Sequence, residues 1–257
     1  MRIGIAGIAG RMGRLLAEEV TAAGATLAGG TVRPGSDKAP PPGAALLPDA
    51  AALFAASDVV IDFTHAEEAA PHAALATAAG KGLVLGSSGL NAAQERAVAE
   101  AAQRAPIVYA ANFSPGVNLV LALAERMAAA LPAAQYDAEI VEMHHRQKVD
   151  APSGTAIAMG RAVAAGRGTT LEEAGKESGR DGHTGPRATG AIGFAALRGG
   201  QVVGEHTLLF AGATEHIALT HRSFDRRAYA TGAVRAALWL QGRLPGLYGM
   251  QDVLGIR

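Results

Sequence analysis

The chain has 257 residues, 23 Lys plus Arg against 23 Asp plus Glu, 49% hydrophobic residues and no cysteine. That composition describes a soluble globular protein of one large domain or two modest ones and excludes a disordered tail protein. Roughly 70 to 75% of the unfolded surface can be buried at this length, so the core needs no disulfide or structural metal. Thiolate catalysis, Fe–S clusters and thiolate zinc sites are excluded with the cysteines, and a formal net charge of +0 excludes broad electrostatic attraction to nucleic acid or an anionic membrane.

The opening MRIGIAG is too short an apolar run for a signal h-region, and the Ala-rich stretches are broken by Glu, Arg or His before about 18 apolar residues accumulate. A cytoplasmic location without a nucleic-acid or membrane partner is expected. Over residues 1–112, short β-branched runs alternate with Ala-rich helical periodicity, the signature of βαβ units and a parallel sheet. Strands are predicted at 2–6, 26–32, 59–63, 83–85 and 107–110, and helices at 11–23, 66–79 and 91–103. Residues 33–48, with Pro34, Gly35 and three successive prolines at 40–42, read as a surface loop. Beyond a break at Phe113-Ser114-Pro115-Gly116, the pattern predicts a long amphipathic helix over 117–131 and a strand over 138–143. Three more strands follow at 190–197, 202–210 and 215–221, with Gly199-Gly200 and Gly212-Ala213 as tight turns that imply antiparallel pairing. The fold class is therefore α/β, a Rossmann-like doubly wound parallel sheet plus a second α+β domain with a mostly antiparallel sheet. The domains are placed at 1–113 with 224–257 and at 114–223, the last helix (227–240) being free to return to the first.

Gly7-Ile8-Ala9-Gly10-Arg11-Met12-Gly13 follows an apolar strand and opens an amphipathic helix. The first Gly permits the tight turn, the next lets a pyrophosphate approach the backbone, and Gly13 lets the helix lie close to the sheet. Amides at the helix start then face the phosphate charge. Ala9 stands where the middle Gly of G-x-G-x-x-G is usual, and a strand-to-helix turn that binds nothing is the alternative. At the end of the second strand the chain reads Thr31-Val32-Arg33-Pro34. No carboxylate is there to receive ribose hydroxyls, and Arg33 suits a 2′-phosphate, which points to NADPH with NADH still possible.

The densest chemistry lies in Glu142-Met143-His144-His145-Arg146-Gln147-Lys148-Val149-Asp150-Ala151-Pro152-Ser153-Gly154-Thr155. It leaves a strand, crosses a polar loop and enters a helix starting near Ser153. Amides of Gly154 and Thr155 would form an anion pocket, Lys148 adds a compact positive charge, and adjacent imidazoles can donate hydrogen bonds or a proton. The set suits a small carboxylate undergoing protonation. Two adjacent His could instead ligate a metal, but consecutive strand residues point to opposite faces and no Cys or His-x-x-x-His partner completes a site, so no metal is assigned.

That run resembles the E-x-H-H-x-x-K-x-D-A-P-S-G-T-A signature of the 4-hydroxy-tetrahydrodipicolinate reductase (dihydrodipicolinate reductase) family. Supporting stretches are Gly10-Arg11-Met12-Gly13, Asp62-Phe63-Thr64, Gly86-Ser87-Ser88-Gly89, Ala111-Asn112-Phe113-Ser114, Arg180 to Gly185 and Gly232-Ala233-Val234-Arg235. The resemblance implies NAD(P)H-dependent reduction of 4-hydroxy-tetrahydrodipicolinate to tetrahydrodipicolinate in lysine and diaminopimelate biosynthesis. Hydride goes to ring carbon 4 after loss of water, and the neighbouring carbon is protonated. It implies that Gly7, Ile8, Ala9, Gly10, Arg11 and Met12 hold the pyrophosphate and Arg33 the adenosine ribose or its phosphate. Gly86, Ser87 and Ser88 with Ala110, Ala111, Asn112 and Phe113 would line the nicotinamide end. It makes His144 the proton donor or acceptor and Lys148 the second proton donor, with His145, Gly154 and Thr155 binding the substrate. Domain closure about hinges at 112–116 and 223–227 and a homotetramer are further implications. Val32, where many relatives are acidic, departs from the pattern and argues against efficient use of NADH.

The sequence leaves three rival readings. Another two-domain amino-acid dehydrogenase, such as an aspartate dehydrogenase, would lack the run from His144 to Thr155. A regulatory nucleotide sensor would bind cofactor without turnover. A metal-dependent hydrolase would use His144 and His145 with His183 or His206.

Overall fold

The computed structural model describes residues 1–33 and 35–256; Pro34, part of the predicted 33–48 loop, and Arg257, the end of the predicted first domain, lie outside the described residues. The chain divides into two compact units, Met1–Pro115 with Arg227–Gly255, and Gly116–Arg226 with Ile256. In chain order the first unit contains β1 (Arg2–Ala6), α1 (Arg11–Ala22), β2 (Thr26–Gly30), α2 (Ala50–Ala56), β3 (Val59–Asp62), α3 (Ala66–Ala79), β4 (Gly82–Leu85), α4 (Ala92–Ala102) and β5 (Pro106–Tyr109). The second unit is built from α5 (Pro115–Ala130), β6 (Asp137–His144), α6 (Gly154–Gly166), α7 (Leu171–Ala174), β7 (Lys176–Ser178), β8 (Ile192–Arg198), β9 (Gly204–Ala211) and β10 (His216–Ser223). The chain then returns to the first unit with α8 (Arg227–Trp239), β11 (Gly246–Tyr248) and α9 (Met250–Leu254).

The first unit's sheet has the order β11-β5-β4-β3-β1-β2, with every pair parallel. Its central strands are buried on both faces, which is why they read as unbroken apolar runs. Successive residues serve opposite cores: Val59, Ile61, Val84 and Val108 pack with α1, α8 and α9, whereas Val60, Leu83, Leu85 and Ile107 pack with α2, α3 and α4. The alanines on these helices, among them Ala73, Ala76, Ala233 and Ala237, are fully buried and let the helices lie close to the sheet. Helix α2 is absent from the sequence expectation. It is only seven residues long and follows the proline-rich loop directly, with Asp49 as its cap accepting from the Ala52 N–H at 2.8 Å. Strand β2 stops at Gly30, two residues before the predicted end. The Thr31 N–H still donates to the Ile5 carbonyl at 3.1 Å, but its own carbonyl accepts from the Ile8 N–H at 3.0 Å, which draws Thr31, Val32 and Arg33 toward the turn after β1.

The second sheet has the order β10-β9-β6-β8-β7 and is mixed: β10–β9 and β9–β6 are antiparallel, β6–β8 and β8–β7 parallel. Gly212-Ala213 sits between paired strands, as its turn chemistry predicts. Gly199-Gly200 does not close a hairpin, contrary to the expectation. Strands β8 and β9 flank β6, and the loop between them wraps round the end of β6, where the Gly199 N–H donates to the His144 carbonyl (3.0 Å) and the Arg146 N–H to the Gly200 carbonyl (3.3 Å). One face of this sheet buries Ala138, Ile140, Ile192, Phe194, Leu208 and Phe210 with Met159 and Val163 of α6. Among the described residues no helix is long and apolar enough to cross a membrane.

Candidate active site

The predicted residues fall into two groups, one in each unit. In the first, the turn after β1 is shaped by Gly7, whose φ of +72° disfavours any side chain. Gly13 has no room for one: a Cβ there would overlap the Gly7 carbonyl and stand 2.6 Å from the Cα of Ile8. Helix α1 therefore starts hard against the turn, with its first amides at the C-terminal edge of the parallel sheet, where open α/β sheets take their ligands. A cleft of about 620 Å³ lies there, and its walls include Gly7, Ala9 and Gly10 together with Val32 and Arg33. Ile8 is buried in the core, Arg11 is exposed and Met12 half-buried, and none of the three lines the cleft.

Gly86, Ser87 and Ser88 follow β4, and Ala110, Ala111, Asn112 and Phe113 follow β5, at the same sheet edge but outside the cleft lining. The Asn112 side chain accepts from the Ser114 N–H at 2.8 Å, Phe113 is buried, and the Ser87 hydroxyl is buried without a protein partner. An unsatisfied hydroxyl is costly in a closed core. In the turn after β4 it is left with a donor that no protein group takes. The cleft, the turn, the cation Arg33 and this hydroxyl fit a nicotinamide dinucleotide.

In the second unit, Glu142 and His144 lie two residues apart on β6 and so share the covered face of the sheet. Glu142 is 1% exposed and fully bonded. Oε2 accepts from His144 Nδ1 (2.6 Å) and Arg198 Nη1 (2.8 Å), and Oε1 from Arg198 Nη2 (2.8 Å) and the Ser153 N–H (3.0 Å). Burial alone raises the carboxyl's pKa, but the Arg198, His144 and Ser153 hydrogen bonds outweigh it and hold the group below the usual range. Glu142 is thus an ionised acceptor, which requires the proton on Nδ1 of His144 and leaves Nε2 to exchange one.

Ser153 caps α6, its hydroxyl accepting from the Ala156 N–H at 3.2 Å and meeting His206 Nε2 at 2.8 Å. Burial, and then the neighbouring His144, push the pKa of His206 down to about 4, so this ring is neutral at ordinary pH. The two rings meet edge to face at 5.1 Å. Lys148 is held by Asp150 at 2.8 Å, Gly154 is exposed and Thr155 half-buried at the start of α6, and His145 Nδ1 is buried without a hydrogen-bond partner. The structure therefore gathers the predicted residues from His144 to Thr155 around one strand end and one helix start. Pattern reading missed Glu142, Ser153, Arg198 and His206 as its scaffold. The i, i+2 spacing of Glu142 and His144 was the available signal. Arg198 and His206 are brought in by sheet order alone.

Among the described residues no group of three or more His, Cys, Asp or Glu is arranged to hold a metal ion, and His183 is exposed in the loop before β8.

Models of the N-terminal and C-terminal parts of dihydrodipicolinate reductase match residues 1–113 and 116–254. The chain belongs to the dihydrodipicolinate reductase family. It is accordingly an oxidoreductase, of a family that uses pyridine nucleotides. It is 66% identical over all 257 residues, and 98% of the relative, to the 4-hydroxy-tetrahydrodipicolinate reductase of Granulibacter bethesdensis. Identity to the enzyme of the same name from Gluconacetobacter diazotrophicus is 64% over 256 residues, with 100% of this chain and 98% of that one covered. Among solved structures, the dipicolinate-bound dihydrodipicolinate reductase of Paenisporosarcina sp. TG-14 shares the fold, with a TM-score of 0.80 at 24% identity over 99% of both chains.

Proposed function

We propose that the chain reduces 4-hydroxy-tetrahydrodipicolinate, the compound for which its relatives are named, to tetrahydrodipicolinate with NAD(P)H, in the diaminopimelate route to lysine. The unit of Met1–Pro115 and Arg227–Gly255 takes the dinucleotide, and that of Gly116–Arg226 the dicarboxylate. The observation that carries this reading is the ionised Glu142 bonded to Nδ1 of His144, beside an ammonium and a helix start. That is a proton donor built next to an anion pocket.

When bound, the cofactor supplies the hydride. Gly7 to Met12 would hold its pyrophosphate, and the turns of Gly86 to Ser88 and Ala110 to Phe113 its nicotinamide end. Arg33, with no carboxylate at Val32, selects the 2′-phosphate of NADPH over NADH. Lys148 and the N–H groups of Gly154 and Thr155 meet the substrate carboxylates, and His145 adds a donor. The Lys148–Asp150 pair is more than half exposed at Asp150, and such pairs contribute little, so the ammonium is readily redirected to an anion. Loss of the 4-hydroxyl as water would leave a conjugated imine; with hydride added at ring carbon 4, the resulting enamine takes a proton at the neighbouring carbon from His144 Nε2, with Lys148 as second donor. Fixed donors at a closed strand end cost no reorganisation as this charge develops.

A coupled assay with freshly generated substrate, following NADPH and NADH oxidation separately, tests the reading; a folded chain that oxidises neither refutes it. Cytoplasmic location and homotetrameric assembly belong to the same proposal, and light scattering at about four times the 26.0 kDa chain checks the assembly.

A further inference from the structure

Asp62 ends β3 with a fully buried carboxylate that the chemistry above does not use. Its Oδ1 accepts from the Thr64 N–H at 2.7 Å and the Thr64 hydroxyl at 2.6 Å, while Oδ2 meets Nδ1 of His72, from the second turn of α3, at 2.7 Å. His72 is itself buried and tilts against Phe54. A buried carboxylate is costly unless every lone pair finds a donor, and strands of parallel sheets otherwise end on apolar residues. This one is kept, and its partners reach the walls of the cleft, which include Phe63, Thr64, Glu68 and His72.

What the pair immobilises is the tripeptide Asp62-Phe63-Thr64. The Thr64 methyl packs against the turn after β1, standing 2.9 Å from where a Cβ of Gly7 would be. The Phe63 ring covers the turn after β4, so that a Cβ at Gly86 would lie 2.6 Å from its edge carbons, and its centroid is 5.2 Å from that of Phe113 after β5. Three separate turns along one sheet edge thus lean on two adjacent side chains; Thr64 is bonded directly to the carboxylate, and Phe63 lies between the two bonded residues.

We propose that Asp62 and His72 are positioning residues for the dinucleotide: by clamping Thr64 and Phe63 they hold the turns of Gly7, Gly86 and Phe113 in mutual register before the ligand arrives. Neither residue touches reacting atoms. The clamp rests on the reading that this cleft binds a nicotinamide dinucleotide, and it assigns to His72 a role in cofactor affinity rather than in turnover.

The experiment is calorimetric titration of the full chain with NADPH, and separately with pyridine-2,6-dicarboxylate, for wild type, His72→Leu, His72→Asn and Thr64→Val, with kcat and KM alongside. Asn places an amide N–H where Nδ1 stands; Leu does not. His72→Leu is expected to raise the NADPH Kd about 10-fold, with kcat at saturating cofactor and the dicarboxylate Kd within twofold of wild type. His72→Asn recovers most of the loss, and Thr64→Val, which keeps the methyl against Gly7 but loses the hydroxyl, weakens NADPH about threefold. An NADPH Kd within error of wild type for a folded His72→Leu overturns the proposal, as does an equal loss in the Leu and Asn variants. If His72→Leu does not fold, an unchanged Kd in Thr64→Val overturns it instead. Failure of the wild-type chain to bind NADPH at all would count against the dinucleotide reading of the cleft and not against the clamp specifically.

Discussion

Replacing Glu142 by Gln keeps the shape of the side chain and removes its charge. The groups around it leave the amide no orientation that keeps every bond. With its nitrogen at the Oε2 position it faces Arg198 Nη1 and His144 Nδ1; at the Oε1 position it faces Arg198 Nη2 and the Ser153 N–H. The Oε1 choice sets two donors against a donor, and the Oε2 choice sets Arg198 against one and lets His144 Nδ1 accept only by giving up its proton, at about 1–3 kcal/mol for each clash, and breaking one side of a buried ion pair costs about 3–5 kcal/mol. Arg198 is 21% exposed at its side chain and regains some water, so the lower part of that range applies, about 3 kcal/mol. At about 2–4 °C per kcal/mol, the melting transition falls by about 6–12 °C. Circular dichroism melts across a pH series read this directly. Glu142 has its pKa depressed by folding, so its stabilisation is complete above the ordinary glutamate value of about 4.3 and is lost as pH falls through the lower folded value. The gap between wild type and Glu142→Gln should therefore be full at pH 7 and narrow only below about pH 4.3. Turnover should fall on the order of 10²-fold, the lower bound for a general acid whose ring has lost the ionised partner at Nδ1. A melting change under about 2 °C, or a gap that is already closing at pH 6, refutes the ionised and fully bonded Glu142.

Gly204→Ala sets a Cβ 3.0 Å from His144 Nε2, so turnover should drop about 10-fold through a displaced imidazole while the melting temperature changes little; steady-state kinetics that match wild type would exclude Nε2 as the working nitrogen. Gly13→Ala collides with backbone that cannot yield, so calorimetry should show NADPH affinity reduced more than 10-fold and stability lowered by about 1–3 kcal/mol. Arg33→Ala should weaken NADPH about 5- to 10-fold and leave NADH unchanged, and equal weakening of both removes the selectivity argument. His206 is neutral in the fold down to about pH 4, whereas an unfolded His takes up its proton near 6.5. Stability is therefore lost as pH falls between these values, by up to about 3 kcal/mol from this ring. His206→Gln retains a hydrogen-bonding group toward Ser153 and should flatten that part of a urea-unfolding profile; an unaltered slope would assign the acid sensitivity elsewhere.

The first unit was largely legible because local rules decide it. Apolar runs, a glycine turn and Ala-rich periodicity each act over a few residues, and Val59 to Asp62 or Gly82 to Leu85 announce their burial by composition alone. Helix α2 escaped because seven residues carry less than two turns of pattern. In the second unit the strands were readable and their neighbours were not. Alternation says which face of β9 is buried, but it says nothing of which strand lies between β8 and β9, and Gly199-Gly200 reads like a hairpin turn while its amide and carbonyl serve the end of β6.

The scaffold of the candidate site shares that limit. Ser153 was readable as a helix start from its own neighbourhood, yet the groups that make it matter, Glu142 and His206, lie 11 and 53 residues away. They meet because β6 and β9 pair with Glu142 opposite His206, Ile140 opposite Leu208 and Ala138 opposite Phe210. A slip of β6 by one residue would bring Val141 or Met143 opposite His206, and turn Glu142 together with Ala138 and Ile140 to the opposite face of the sheet. The apolar pairs near the middle of the ladder therefore fix the register that seats an ionised carboxylate behind His144 at its end.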